Sequence, residues 1–159
     1  MPDDELWFDW RENFVRTYMD SDLRTLGLNI RPTALVRLLR IIGSVNGSPL
    51  NYSDIAKSMD VSMPTLKNYI DYLEHAFIVR RLQPYFTSIG KRLIKSPKIY
   101  FRDTGNLHYL LNIFPPTEPV NHIIVGHSWE GFVSEQIIAR RKKTYCRFST
   151  GRSTEQKWT

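Results

Sequence analysis

The chain has 159 residues, 42% of them hydrophobic, and Lys plus Arg exceed Asp plus Glu by 22 to 16, for a formal charge of +6. This suits one domain of ordinary size, or a small domain with a piece of another, with enough apolar residues for a packed core. A single cysteine, Cys146, excludes an intrachain disulfide and a cysteine-based zinc site. No apolar run approaches membrane-spanning length, and the acidic, aromatic start MPDDELWFDW is the opposite of a signal peptide, so a cytoplasmic chain with no membrane partner is expected. A basic balance favours polyanionic partners, which is a statement about association rather than fold.

In chain order, the first pattern is Asp4 to Leu26. Leu6, Trp7, Trp10, Phe14, Val15, Tyr18, Met19 and Leu23 recur at three- and four-residue steps, which predicts an amphipathic helix ended by Gly27. Trp7, Phe8 and Trp10 place much aromatic surface in its first turns, for packing on its own domain or for docking to a protein partner or a second copy. Thr33 to Val45 reads as a second helix, with Leu35, Leu38, Leu39 and Ile42 inward and Arg37 and Arg40 outward.

Asn51 to Leu82 is the most informative stretch. Two short helices, Tyr52–Ser58 and Met63–His75, are expected to cross over a tight turn and bury Ile55, Ala56, Val61, Leu66, Ile70 and Leu73. Asp60 stands where the turn needs a left-handed residue, Ser62 is a good N-cap, and Pro64 fits the next helix's first turn. This is a helix-turn-helix pattern, and such motifs lay their second helix in the DNA major groove. Ser62, Met63, Thr65, Lys67 and Asn68 are its candidate DNA-binding residues. Lys67 suits phosphate or guanine and Asn68 suits adenine, whereas Asp71 is unfavourable beside phosphates.

Ile78-Val79 and Lys98 to Phe101 read as strands, separated by Pro84, Gly90 and Pro97, and predict a wing-like hairpin. From Phe77 to Arg102 the span carries Arg80, Arg81, Lys91, Arg92, Lys95, Lys98 and Arg102 with no Asp or Glu. A one-sign surface repels itself unless a polyanion neutralises it, so Lys91, Arg92, Lys95 and Lys98 join the candidate DNA-binding set as phosphate contacts. Asp103 then caps a short helix, Thr104 to Leu111, and residues 114–119 read as a stiff linker. Ser128 to Arg140 reads as another helix with Trp129, Phe132, Val133, Ile137 and Ile138 on one face, and Arg147 to Thr159 has no pattern. His75, His108, His122 and His127 lack metal-ligand spacing, and neither Ser nor Cys has convincing His and acid partners, so no catalytic, metal or cofactor residues are expected.

The segments DWRENFVRTYMDSDLRTLG, SDIAKSMDVSMPTLKNYIDYLEHAFIVRRLQPY, GKRLIKSPKIYFRDTG and GHSWEGFVSEQII resemble the C-terminal half of a large family of prokaryotic P-loop (AAA+-type) ATPases, a winged-helix region known as domain of unknown function 4143. The resemblance covers roughly residues 3 to 138. It implies an ATP-binding domain before the winged helix and a restriction-endonuclease-like region after it. No G-x-x-x-x-G-K-[ST] loop is present; Gly90-Lys91-Arg92 lacks the upstream Gly and the Ser or Thr. Glu155-Gln156-Lys157 is formally E-x-K but has no partner Asp on a preceding strand. The last dozen residues are expected to be out of frame, because a shifted reading restores the resembled family's pattern.

The expected fold is mostly α with a small β-hairpin: an N-terminal aromatic helix over residues 1–30, a winged helix-turn-helix domain over 31–112, and a linker with a truncated nuclease-like stub over 113–159. The expected function is a non-catalytic module that binds double-stranded DNA, apparently a fragment of an ATP-binding AAA+-type protein. The alternative is a protein-interaction or oligomerisation module of that ATPase.

Overall fold

The computed structural model describes residues 9, 12, 13, 17, 30–84, 96–113 and 123–149, with side chains in the last stretch to residue 140. Among these, Pro32–Ser44 forms α1, Tyr52–Met59 α2, Met63–His75 α3, Val79–Leu82 β1, Lys98–Phe101 β2, Thr104–Leu110 α4 and Val125–Ser149 α5. The described chain is thus mostly helical with one two-stranded antiparallel sheet. Residues 9, 12, 13 and 17 are helical and exposed, the polar side of the amphipathic pattern; Trp7, Phe8 and Trp10 lie outside the described residues.

α1 starts at Pro32, whose missing N–H would be unpaired in a first turn anyway. Leu35, Leu38, Leu39 and Ile42 recur at helical spacing and are all buried. A Cβ on Gly43 would lie 3.3 Å from Leu111 Cδ2, so the bare glycine lets α1 approach the end of α4 closely.

The α2–α3 turn follows from local chemistry. Asn51 caps α2, its side chain accepting from the Asp54 N–H at 3.4 Å. Asp60 ends α2 in the left-handed region (φ 53°, ψ 46°), and the Val61 N–H returns to the Ala56 carbonyl at 3.1 Å. Ser62 caps α3 by accepting from the Thr65 N–H at 3.3 Å. Ile55, Ala56 and Met59 of α2 and Leu66, Ile70 and Leu73 of α3 close the core beneath the turn, while Val61 is half-buried. Because Asp bears a Cβ penalty in this backbone region and Gly does not, Asp60→Gly is expected to raise stability by about 0.5–1 kcal/mol, read by urea denaturation.

β1 and β2 pair Val79 with Phe101, Arg80 with Tyr100, Arg81 with Ile99 and Leu82 with Lys98. Residues 47–50 lie along the other side of β2: the Gly47 N–H donates to the Ile99 carbonyl (2.7 Å), the Ile99 N–H to Ser48 (3.3 Å) and the Leu50 N–H to Pro97 (2.8 Å). This covers backbone groups that would otherwise form an open edge. The alternation of the strand then sorts β2: Ile99 and Phe101 join the core with α1, α3 and α4, while Tyr100 faces α5 across Gly131.

The helix bounds before the last helix match expectation to within a residue and β2 matches it, whereas β1 runs to Leu82, three residues past the expected Ile78-Val79. α5 is longer at both ends than Ser128–Arg140. Its packed side is made by Ser128 and Gly131 with Glu135; of the expected apolar face, Trp129, Phe132 and Ile137 point outward while Val133 and Ile138 are half-buried. Gly131 explains the inversion, because a Cβ there would stand 3.1 Å from Tyr100 Cδ1 and push the helix off the sheet. Residues 150–159, including Glu155, Gln156 and Lys157 and most of the stretch expected to be out of frame, lie outside the described residues, as does the linker over 114–119.

Candidate functional site

The first two turns of α3 present Ser62, Met63, Pro64, Lys67 and Asn68 to solvent, with Thr65 half-buried and tied to Ser62 Oγ through its hydroxyl at 2.8 Å. The opposite side of α3 is consumed by the core through Leu66, Ile70 and Leu73. The five helix residues expected to contact DNA are therefore together on one helix end. A shallow depression of about 410 Å³ beside them is lined by Ser53, Lys57, Asp60, Ser62 and Met63 among others. Lys57, exposed on α2, thereby joins the set; its only sequence signal was a polar position on the face opposite Ile55, Ala56 and Met59. Lys67 Nζ stands 5.6 Å above the Tyr52 ring centroid, within cation–π reach. Arg37 Nη2 donates to the Ser58 carbonyl at 2.6 Å and so satisfies an end group of α2.

The described cations of the basic span from Phe77 to Arg102 meet carboxylates that lie outside it. Arg81 pairs with Glu74 (2.5 Å) and Asp71 (2.7 Å). Arg80 and Arg102 converge on Glu135 of α5: Arg80 through Nε and Nη2, the latter at 3.1 Å, and Arg102 through Nε at 3.0 Å. Lys98 Nζ reaches Glu130 at 3.0 Å, in a pair that is about half exposed. No sequence-local charge count shows this, because every acid comes from α3 or α5. The four described cations of the span are neutralised within the chain, so no polyanion is needed to hold them together. Lys91, Arg92 and Lys95 lie outside the described residues.

Burial pushes the Glu135 carboxyl up, and the hydrogen bonds from Arg80 and Arg102 outweigh it, holding the group below the usual carboxylate range. Elsewhere the structure brings together residues that sequence reasoning left apart: His108 Nε2 lies 2.9 Å from Ser128 Oγ. Ser128 is only 5% exposed, so this pair latches α4 to α5 and leaves a substrate no approach to the hydroxyl. Among the described residues no group of three or more His, Cys, Asp or Glu is placed to hold a metal ion, and no helix is long and apolar enough to cross a membrane.

A family model described as a domain of unknown function, DUF8612, matches residues 1–117. The chain belongs to that family. Among its relatives are uncharacterized protein Rv2008c of Mycobacterium tuberculosis and uncharacterized protein Mb2031c of Mycobacterium bovis, each 40% identical over 130 residues. That alignment covers 82% of this chain and 30% of each relative, so the chain spans under a third of the proteins it matches. The DUF8612 match overturns the resemblance to domain of unknown function 4143 of the AAA+-type ATPases. That resemblance rested on the order of short segments, and a helix pair leading into a basic strand is an arrangement set by packing, which different families share. The reading of residues 113–159 as a nuclease-like stub rested on it too.

Proposed function

We propose that this DUF8612 chain is a winged-helix module that binds double-stranded DNA through the N-terminal half of α3 and does no chemistry of its own. The observation that carries this reading is the exposed row Ser62, Met63, Lys67 and Asn68 at the start of a helix whose other face is fixed in the core. A helix N-terminus favours anions, Lys67 adds a phosphate contact, and Asn68 offers the amide that pairs with adenine. The element order also supports it: α1, the bridging segment 47–50, α2, α3, then an antiparallel pair whose connection carries Lys91, Arg92 and Lys95. Asp71, the residue that spoke against DNA, is engaged by Arg81.

The test is fluorescence anisotropy of a labelled random-sequence duplex titrated at several salt concentrations. Wild type is expected to bind with an affinity that falls steeply with salt. Lys67→Ala should weaken binding and flatten the slope of log K against log salt by about 0.9, the value for one lost phosphate contact. Absence of binding at low salt by a folded, monodisperse sample overturns the proposal.

A second reading, a protein-contact module, is favoured by a different surface. Trp129 (67% exposed), Phe132 and Ile137 form an apolar row on the outer side of α5, with the Trp129 and Phe132 rings stacked at 5.6 Å. Adjacent exposed aromatic rings of this kind suit an apolar protein partner.

A further inference from the structure

We infer that Arg81 is a positioning residue for DNA recognition: it touches no DNA, yet it keeps Lys67 available by holding Asp71 away from it. The inference rests on the DNA-binding reading above.

Arg81 projects from β1 and ties that strand to α2 and α3 at once. Its backbone N–H donates to Glu74 Oε1 at 2.9 Å, its Nε to Glu74 Oε2 at 2.7 Å, and its Nη1 to the Tyr52 hydroxyl at 3.1 Å, while Nη2 meets both Glu74 and Asp71. This planar fork spans two carboxylates and a phenol, which a lysine ammonium does not. Asp71 and Glu74 are three residues apart on α3 and repel each other without a cation between them.

The geometry of α3 gives Asp71 a competing partner. Lys67 lies four residues before it, so the two side chains are neighbours on the helix surface. Asp71 is about half exposed, and Arg81 is the cation that engages its carboxylate. An unclaimed Asp71 would pair with Lys67 and also set a negative charge beside the phosphates. Arg81 prevents both. Through Tyr52 it acts on Lys67 a second time: the hydroxyl that Arg81 holds belongs to the ring beneath the Lys67 ammonium. The candidate contact surface is thus arranged from the sheet, by a cation that the sequence showed only as part of an all-basic span.

The experiment is the same salt-resolved anisotropy titration on four proteins, with folded fraction measured by circular dichroism in each sample. Arg81→Gln should bind DNA about 3- to 10-fold more weakly and flatten the salt slope by about 0.9, as though Lys67 were lost. Adding Asp71→Asn to Arg81→Gln should restore both affinity and slope. Adding Glu74→Gln should not, although it relieves the same repulsion; this separates an effect on the surface from one on stability. In a Lys67→Ala background, Arg81→Gln should have a smaller effect, limited to the charge that the unclaimed Asp71 sets beside the phosphates. If Arg81→Gln is unfolded, Arg81→Lys carries the same comparisons. Wild-type binding with an unchanged slope in Arg81→Gln, or equal rescue by Glu74→Gln, overturns the inference and leaves DNA binding standing. Failure of the wild type itself to bind overturns both.

Discussion

Glu135→Ala is expected to lower the free energy of unfolding by about 2–4 kcal/mol, measured by urea denaturation at neutral pH. The Glu135 side chain is 14% exposed and is the shared partner of Arg80 on β1 and Arg102 just beyond β2. Replacing an ion pair by apolar packing is often harmless, but removing one partner leaves the other charge buried and uncompensated. Here one deletion strands two guanidinium groups. It also unties α5 from the sheet, because Glu135 is the charged side chain that α5 turns toward the strands at that point. The effect has a pH signature. Glu135 is held below the usual carboxylate range, so its contribution is complete above the unfolded value of about 4.3 and drains away as pH falls through the folded one. The stability gap between wild type and Glu135→Gln should therefore stay constant from about pH 7 to pH 5 and close below about pH 4. A gap that persists unchanged in acid would mean that packing, and not charge, is what Glu135 supplies.

The same residues show what was legible in the sequence. The bounds of α3 follow from Ser62, Pro64 and a three-four apolar spacing, all of them local signals, and Asp60 was readable as left-handed because the turn demands it. The candidate contact residues on α3 were legible for the same reason: once the buried face is fixed, the exposed face is what remains. The ion pairs were not, since Arg80 and Glu135 are 55 residues apart and no local pattern encodes such a meeting. The basic span therefore read as a surface awaiting a polyanion when Glu74, Glu130 and Glu135 already face it. The outward apolar row of α5 was hidden differently. Its spacing predicted a helix correctly, but periodicity does not say which side packs, and Gly131 against Tyr100 decides that.

Asn46 carries the other large expected effect. It is 1% exposed, and nothing in its sequence context, a polar residue before a Gly-Ser-Pro turn, separates it from an ordinary turn asparagine. In the fold its Oδ1 accepts from the Phe101 N–H at 2.8 Å and its Nδ2 donates to the His127 carbonyl at 3.3 Å. One amide thus serves the end of β2 and the first turn of α5 together. Asn46→Leu keeps approximate size and removes both hydrogen-bonding groups, leaving the buried Phe101 N–H without its acceptor, whereas the His127 carbonyl lies in the first turn of α5, where helix carbonyls have a backbone partner. At about 1–3 kcal/mol for one buried unsatisfied group, the expected loss is about 1–3 kcal/mol. Asn46→Asp preserves the acceptor for Phe101 but turns an oxygen toward the His127 carbonyl and buries a charge, so it should be at least as damaging at neutral pH. Hydrogen exchange distinguishes a local role from a general one. Faster exchange at the Phe101 amide in Asn46→Leu, beyond what the global loss explains, is the result expected if this side chain joins strand to helix. Uniform acceleration across β2 would instead make Asn46 one more contributor to the core.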